Sequence, residues 1–162
     1  MIYVKIESIK GNCLAEGYEE QIIVDSFNLS AANAITNDPA NAERTLDRVR
    51  FAEMVFTKEM DVSSMLLYAA CAGNQKLGDV TITVTRTVGD EQGLLVVFVL
   101  EDAMISRVST SGSSGGGLPN ETFAINFTAI TGQYTKQKSD ASDEGQAAMG
   151  WDLKTRKVKA PA

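Results

Sequence analysis

Apolar and polar residues alternate along several segments of this chain, and this alternation constrains its fold more than any other feature. Isoleucine and valine occupy every second position within residues 2–6, and they alternate with threonine within residues 80–85. A similar pattern returns within residues 123–130. Successive side chains of a β-strand point to opposite sides of its sheet, so such segments form strands with one side turned inward. The chain is therefore predicted to be mostly β.

Other segments are predicted to be strands from their apolar content. Residues 21–29 and 49–57 form two of them, and a short strand is expected within residues 150–158. Residues 94–100 read LLVVFVL, so their apolar side chains point to both sides of a sheet and both sides must be covered. Residues 89–93 contain two glycines and are predicted to form the short hairpin connection into this strand.

One helix is predicted over residues 65–72, which read MLLYAACA. Ser64 is the expected N-cap, and Gly73 is the expected left-handed residue that ends the helix. The segment is apolar on nearly every side, whereas a helix at a solvated surface carries a polar face. We therefore expect this helix to lie between the barrel and a second covering surface, which a neighbouring subunit could supply.

Three irregular segments connect the strands of a single predicted domain that spans residues 1–162. Residues 30–45 are rich in alanine and asparagine, and a connection of this length in a compact domain usually has a binding role. Residues 109–117 consist of serine, threonine and glycine and predict a flexible loop. Residues 139–146 predict a second, acidic loop.

The charge and hydropathy of the chain exclude two classes of partner. The formal net charge is −6, which disfavours the broad positive surface that binds nucleic acid. Four basic residues near the end are interpreted as a solvated strand end: Lys154, Arg156, Lys157 and Lys159. No apolar run approaches the roughly 18 residues that a membrane-spanning segment needs, so we expect no membrane insertion.

The sequence lacks the residues that most enzymes and metal sites require. It contains no histidine, which removes the commonest general base and most zinc and iron sites. Adjacent acidic residues are expected to be solvated or to point to opposite faces: Glu19/Glu20, Asp90/Glu91, Glu101/Asp102 and Asp143/Glu144. We therefore expect no catalytic activity and no metal.

Cofactor and redox motifs are also missing. The glycine-rich segment 112–117 is not followed by Lys-Ser or Lys-Thr at the spacing of a phosphate-binding loop, so no nucleotide cofactor is expected. Cys13 and Cys71 have no Cys-x-x-Cys spacing, and we expect both to be buried free thiols. The first residues have neither the basic leader nor the apolar stretch of a secretory signal, so we expect folding in the cytoplasm.

Several short segments together resemble a known family. They are IYVKI at 2–6 with IKG at 9–11, FTK at 56–58 with Asp61, Ser63 and Ser64, Ala70-Cys71, SRVSTSGSSGG at 106–116, ETF at 121–123, Asn126-Phe127, and Gly150-Trp151-Asp152. In this order and spacing, the chain resembles the haemolysin-coregulated protein family, Hcp, over nearly its whole length.

This resemblance implies a fold and an assembly. The fold would be a compact β-barrel of two packed antiparallel sheets with one flanking α-helix, and six subunits would form a ring. Stacked rings would build the inner tube of a bacterial type VI secretion system, which a contractile sheath expels with a spike at its tip. The protein would then leave the cell without a signal peptide, in some cases with small effector proteins held in the lumen.

The resemblance also suggests roles for segments that the residues alone leave unexplained. Residues 30–45 match a connection that engages the next ring in the family, although this chain has alanines where many relatives have glycines. The residues expected there are Asn33, Asn37, Asp38, Pro39 and Asn41. The serine loop is expected near the central opening, where Ser111, Ser113 and Ser114 would meet cargo.

A ring would also cover the apolar helix and the doubly apolar strand, because each subunit of a closed ring uses two different patches. We therefore expect a subunit interface at Leu66, Tyr68, Val97 and Val99. Two other hypotheses remain. One is a soluble ring-shaped effector carrier or chaperone that does not polymerise, and the other is a phage-type tail-tube protein of related fold.

Overall fold

The computed structural model describes residues 1–35, 46–89, 91–137 and 142–160. Within these residues the chain forms twelve strands and one helix. They are β1 (Ile2–Lys5), β2 (Ile22–Val24), β3 (Ser26–Asn28), β4 (Ala31–Ile35), β5 (Leu46–Phe51), β6 (Met54–Glu59), α1 (Ser64–Ala72), β7 (Lys76–Val88), β8 (Glu91–Ser111), β9 (Asn120–Asn126), β10 (Ala129–Gln137), β11 (Asp143–Asp152) and β12 (Lys157–Val158).

Strand β8 belongs to two sheets. Its first half lies in an antiparallel sheet of order β12-β11-β10-β8-β7-β1-β2. Its second half pairs with β9, which continues through β6 to β3. The strand changes direction near Asp102, which has a left-handed φ of 51°. A strand that passes from one sheet to another at such a corner joins two packed layers.

The chain also crosses between the sheets at Asp25. Strand β2 pairs with β1, whereas β3 pairs with β6, and between them the Asp25 amide donates a hydrogen bond of 2.7 Å to the Thr57 carbonyl. The strands therefore form a closed circuit, β1-β2-β3-β6-β9-β8-β7-β1. The predicted fold, a mostly β barrel of two packed antiparallel sheets with one flanking helix, is confirmed.

The core fills the space between the two sheets. Val4, Ile82 and Leu100 are fully buried on the inner side of the first sheet. Phe56 and Phe123 are fully buried on the second, where their rings stack with centroids 4.9 Å apart. Full burial of side chains of this size contributes about 1.5–3 kcal/mol each to the hydrophobic stabilisation of the fold.

Four predicted strands each fall on two strands in the structure, and one of them, within residues 150–158, covers the end of β11 and the whole of β12. Residues 21–29 divide into β2 and β3, residues 49–57 into β5 and β6, and residues 123–130 into β9 and β10. The division at β2–β3 is the crossing between sheets, and the break after β9 lies opposite the corner of β8. The alternation of apolar residues continues through these points, so it does not mark the change of pairing partner.

The predicted loops are shorter than expected. Residues 31–35, predicted to be irregular, form strand β4 and pair with β5, because a hairpin satisfies their backbone groups. Residues 109–111 belong to β8, and residues 143–146 belong to β11. The predicted connection over residues 89–93 is also too long, since Val88 already pairs with Glu91.

The predicted helix ends at Ala72 as expected, but it begins one residue earlier, and Gly73 is not the left-handed residue. The N-cap is Ser63, not Ser64, and the Ser63 side chain forms no capping hydrogen bond with the first turn. Gly73 has a φ of −87°, and Asn74 adopts the left-handed conformation with a φ of 49°. Asparagine tolerates this conformation better than most residues, so glycine is not required. Both cysteines are free; Cys13 is buried as predicted, but Cys71 is only half-buried.

Candidate assembly surfaces

A buried lysine attaches α1 to the second sheet. Lys58 exposes 1% of its surface, and its Nζ donates to Asp61 Oδ1 at 2.7 Å, to the Glu59 carbonyl at 2.9 Å and to Ser64 Oγ at 3.2 Å. Asp61 Oδ1 also accepts a hydrogen bond from the Ser63 amide at 2.9 Å. These contacts satisfy the start of the helix and fix its position relative to β6.

Glu121 completes this buried cluster from the neighbouring strand. It pairs directly with Lys58 across β6 and β9, and its Oε1 lies 4.0 Å from Lys58 Nζ. Neither carboxylate oxygen of Glu121 accepts a hydrogen bond, although the side chain is buried. The side chains of the cluster belong to segments that the resemblance singled out, and within the subunit the cluster holds α1 against β6.

The outer side of α1 is apolar and uncovered within the subunit. Leu67 and Ala70 are buried, whereas Met65 is 62% exposed, Leu66 45% and Tyr68 37%. The Tyr68 hydroxyl shares a hydrogen bond of 2.8 Å with Thr110 Oγ1 on β8. The helix therefore turns one side to the barrel and leaves two of the predicted interface residues, Leu66 and Tyr68, available.

Val97 and Val99 lie on the outer side of the first sheet. Val97 pairs with Thr83 and Gln133, and Val99 pairs with Thr81 and Thr131, in rows that alternate with the core rows. Side chains of directly paired residues lie on the same face, so both valines point away from the core. Each is half-buried.

Val97 and Val99 stay partly exposed because the loop that covers this outer face does not reach β8. Tyr3 lies on the same outer row as Val97, yet it is fully buried because Tyr18 stacks on it at 4.2 Å. Burial is also the main cause that raises the pKa of Tyr18. The loop that carries Tyr18 thus covers the β1 side of the outer face and not the β8 side. The two valines and the helix residues lie on separate elements, which is how two different patches would be arranged.

The serine loop borders a shallow cleft between the end of β8 and the start of β9. Ser111 is the last residue of β8 and pairs with Asn120, and Ser113 and Ser114 are exposed in the loop that follows. Ser111, Ser113 and Leu118 help to line a cleft of about 340 Å³. The structure thus brings two of the three predicted cargo residues together at one opening.

The predicted stacking segment is described only in part. Asn33 lies on β4, in the hairpin that β4 forms with β5. It lines a cleft of about 470 Å³ with two arginines of β5. The other predicted stacking residues, Asn37, Asp38, Pro39 and Asn41, lie outside the described residues.

Two ion pairs fix the C-terminal residues to the corner of β8. Lys154 donates to Asp102, and Lys159 binds Glu101. The hydrogen bond from Lys154 is the main cause that lowers the pKa of Asp102, and the same contact raises the pKa of Lys154. Two of the four basic residues near the end are therefore paired, where a wholly solvated group was predicted.

Sequence reasoning missed one group of candidate residues. Arg48, Arg50 and Arg156 line the cleft beside Asn33, although Arg156 is about 100 positions away from the other two. The alternation of arginine with Val49 along β5 was the one available signal. Over residues 1–35, 46–89, 91–137 and 142–160, no group of three potential metal ligands occurs, and no helix has the length and apolar character to cross a bilayer.

Comparison with known proteins identifies the family. Residues 3–134 match the family model described as "Type VI secretion system effector, Hcp". The chain is 26% identical to Protein hcp1 of Pseudomonas aeruginosa over 154 residues, which cover 94% of each chain. It is 37% identical to the Major exported protein of the same organism over 100 residues, which cover 61% of this chain and 56% of that protein.

A solved structure of "a type six secretion system protein" has the same fold. It superposes with a TM-score of 0.92 and covers 98% of each chain, at 23% sequence identity. This likeness extends over the first sheet, the second sheet and α1, and the family model covers most of the sequence. The chain is therefore a member of the Hcp family of type VI secretion system proteins.

Proposed function

We propose that this protein is a structural tube subunit of a type VI secretion system. Six copies form a closed ring, and the rings stack into an inner tube that a contractile sheath drives out of the cell behind a spike protein. The tube is assembled in the bacterial cytoplasm and leaves it by this route, in keeping with the name of the relative called the Major exported protein. Small effector proteins travel in the lumen.

One observation carries this proposal: the subunit presents apolar side chains on two separate surfaces. Leu66 and Tyr68 are exposed on α1, and Val97 and Val99 are half-buried on the outer face of the first sheet. An interface between different patches of neighbouring copies repeats around an axis and closes when the rotation fits. Stable interfaces bury about 800 Å² per partner, and the subunit has 9971 Å² of accessible surface, so two such interfaces fit on it.

We also infer that the chain works as a structural part and not as a catalyst. The absence of histidine removes the usual general base. A pure sample that has been denatured and refolded should therefore show no turnover, and any activity in extracts should be separable as bound cargo. Saturable turnover by the refolded chain would contradict this inference.

Light scattering coupled to size exclusion tests the ring. The protein should have six times the 17.4 kDa mass of one chain at micromolar concentration. The double variant Val97→Lys and Val99→Lys should shift the mass to that of one chain, because two ammonium groups would be buried in the interface. Thr87→Lys on the exposed part of β7 is the matched control and should leave the hexamer intact.

Negative-stain microscopy separates a tube subunit from a soluble effector carrier. A tube subunit should form end-to-end stacks of rings when concentrated, whereas a carrier should remain as single rings. Replacement of residues 33–42 by a short Gly-Ser linker should leave the ring mass unchanged but abolish stacking and secretion. Loss of the ring in this variant would instead assign the segment to the subunit interface or to the fold.

A further inference from the structure

The cleft beside Asn33 is basic. It measures about 470 Å³ and lies between the β4–β5 hairpin and the turn that joins β11 to β12. The residues that line it are Asn33, Arg48, Val49, Arg50, Trp151, Leu153 and Arg156. Three arginines therefore line a partly apolar cleft, and among the described residues that line it none is acidic. We refer to this site as the basic cleft.

These arginines are not neutralised by the described part of their own subunit. The ion pairs there involve lysines only, for example Lys154 with Asp102 and Lys159 with Glu101. Arg48 and Arg50 are exposed on β5, and Arg156 is exposed in the turn. Like charges around one opening repel one another, and a partner that supplies negative charge would relieve this repulsion.

A second cleft has the opposite charge. It measures about 240 Å³, and Asn12, Ile23, Asp25, Glu59, Met60, Asp61 and Leu118 line it. Asp25 and Glu59 are exposed and form no ion pair with described residues, whereas Asp61 is occupied by Lys58. Within the part of the chain that the structure describes, no lysine or arginine lines the site. We refer to it as the acidic cleft.

The two clefts lie at opposite ends of β6. Glu59, the last residue of this strand, lines the acidic cleft. The β4–β5 hairpin leaves from the other end, where the Ala52 amide donates to the Ser30 carbonyl at 2.9 Å just before Met54. Five steps of about 3.3 Å separate the ends of β6, so the clefts are at least about 17 Å apart along the strand.

The C-terminal lining of the basic cleft lies at the same end. Met54 pairs with Ile125 near the end of β9, and the Leu153 amide donates to the Thr128 carbonyl at 2.9 Å just beyond it. Trp151 pairs with Ile130 in the next strand. Both parts of the basic cleft are therefore on the Met54 side of the barrel, away from Glu59.

We propose that the basic cleft of one copy binds the acidic cleft of a second copy, and that this head-to-tail pairing is the contact between successive rings. The ring-to-ring role rests on the proposed function. When copies repeat along the strand direction, the basic end of one copy faces the acidic end of the next. Such a head-to-tail contact leaves a free cleft at each end of the stack, so further copies can always be added. Guanidinium groups bind carboxylates through paired hydrogen bonds.

Both clefts also contain apolar residues that can pack against each other in this contact. Leu153 and Trp151 form part of the floor of the basic cleft, and Ile23, Met60 and Leu118 lie in the acidic cleft. Leu118 is 64% exposed in the subunit, so it is free to enter a neighbouring cleft. An apolar centre with a charged rim is the usual composition of a protein interface.

Charge reversal tests the proposal with ring mass and stacking measured separately. Arg48→Glu with Arg50→Glu should keep the hexameric mass and lose the end-to-end stacks in negative-stain images. Asp25→Arg with Glu59→Arg should do the same. All four substitutions in one chain should restore stacking, because each cleft again meets its opposite charge. Lys76→Glu with Arg107→Glu is the control: it changes the net charge by the same amount as the Arg48 and Arg50 variant, but at exposed positions outside both clefts. This control should stack like the wild type.

Each other result has a distinct meaning. Stacks that persist in either charge-reversed variant, or that fail to return in the fourfold variant, would overturn the pairing. Loss of the hexamer in folded charge-reversed protein, checked by circular dichroism, would place the clefts within the ring and overturn the ring-to-ring assignment. A wild-type protein that never forms hexamers would refute the proposed function itself.

A measurement on the unmodified protein avoids the risk of misfolded variants. Raising the ionic strength from about 0.1 M to 1 M shortens the screening length from about 10 Å to 3 Å. The fraction of stacked rings should fall at least several-fold over this range while the hexameric mass stays constant. Stacking that is unchanged or increased at 1 M would contradict a contact built on exposed arginines and carboxylates.

Discussion

Replacement of Lys58 by methionine should destabilise the fold far more than replacement of Glu121 by glutamine, although the two side chains form one buried pair. Lys58 has three other acceptors, at 2.7, 2.9 and 3.2 Å. Glu121 has no hydrogen-bond donor and is compensated only by Lys58 Nζ at 4.0 Å. Loss of the lysine therefore strands a buried charge, whereas loss of the carboxylate does not.

The magnitudes follow from this asymmetry. Two unit charges 4 Å apart interact by about 4 kcal/mol at an effective dielectric constant of about 20. Removal of one partner of a buried pair typically costs about 3–5 kcal/mol in unfolding free energy, and we expect Lys58→Met to fall in this range. Glu121→Gln removes a carboxylate whose desolvation was only partly offset, so its cost should be about 1 kcal/mol or less.

Denaturant unfolding at one fixed protein concentration, with the ring mass checked in the same samples, measures these differences. The double variant Lys58→Met with Glu121→Gln should be about 2 kcal/mol more stable than the sum of the single changes predicts, because no buried carboxylate is stranded at position 121. Lys5→Met, at an exposed position, should change stability by less than about 0.5 kcal/mol. Equal costs for the two single variants, or additive costs in the double variant, would refute the reasoning.

Three further predictions concern the corner, the serine loop and a close backbone contact. In the folded protein the pKa of Asp102 is lowered, so its carboxylate stabilises the fold fully at pH values above the usual aspartate pKa of 3.8. Asp102→Asn should remove this contribution to the free energy of unfolding. The stability difference from wild type should be constant above about pH 5 and shrink as the pH falls below 3.8, and a flat difference down to pH 2 would contradict it. Ser113→Gln with Ser114→Gln should reduce co-purified cargo while the hexamer persists, and unchanged cargo retention would leave this loop a simple connector. Gly150→Ala should lower the melting temperature, because a Cβ there overlaps the carbonyl of Lys159, and an unchanged melting temperature would show that the terminal strand moves aside freely.

The alternation of apolar residues predicted the core of the barrel well. The inward positions within residues 2–6 and 80–85 include Val4 and Ile82, which are fully buried. Segment 94–100 was predicted to carry apolar side chains on both sides of a sheet, and the structure turns Leu100 inward and Val97 and Val99 outward. These successes share one cause, because the side on which a strand residue lies depends only on its own position in the strand.

The points where the chain changes sheets could not be predicted. At Asp25 and Asp102 the backbone turns from one set of partners to another, and which strand pairs with which depends on residues far away in sequence. The buried charges were hidden for a different reason. Lys58 and Glu121 belong to residue types that are almost never fully buried unless paired, so only the family resemblance singled them out.

The basic cleft was the least predictable part. Arg48 and Arg50 come from β5 and Arg156 from a turn about 100 positions later, and only the folded chain brings them to one opening. In the sequence, Arg156 is one of four basic residues near the end. Nothing in the sequence shows that two of the others form ion pairs with carboxylates while Arg156 forms none with a described residue. A site assembled from a hairpin and a turn about 100 positions later leaves no continuous motif in the sequence.

Strand β8 determines how the subunit carries a mechanical load. Its 21 residues extend for about 70 Å of contour. One edge pairs through hydrogen bonds with β7 as far as Met104, and the other pairs with β10 over Val96 to Glu101 and with β9 from Met104 onward. A force that stretches the subunit between the ends of β8 loads these hydrogen bonds in parallel. By contrast, β12 forms two residue pairs at the open edge, and the Lys159 amide and the ion pair of Lys159 with Glu101 add only a few contacts, so this strand can be pulled away one contact at a time. The subunit is therefore stiff along β8 and compliant at its C-terminal edge.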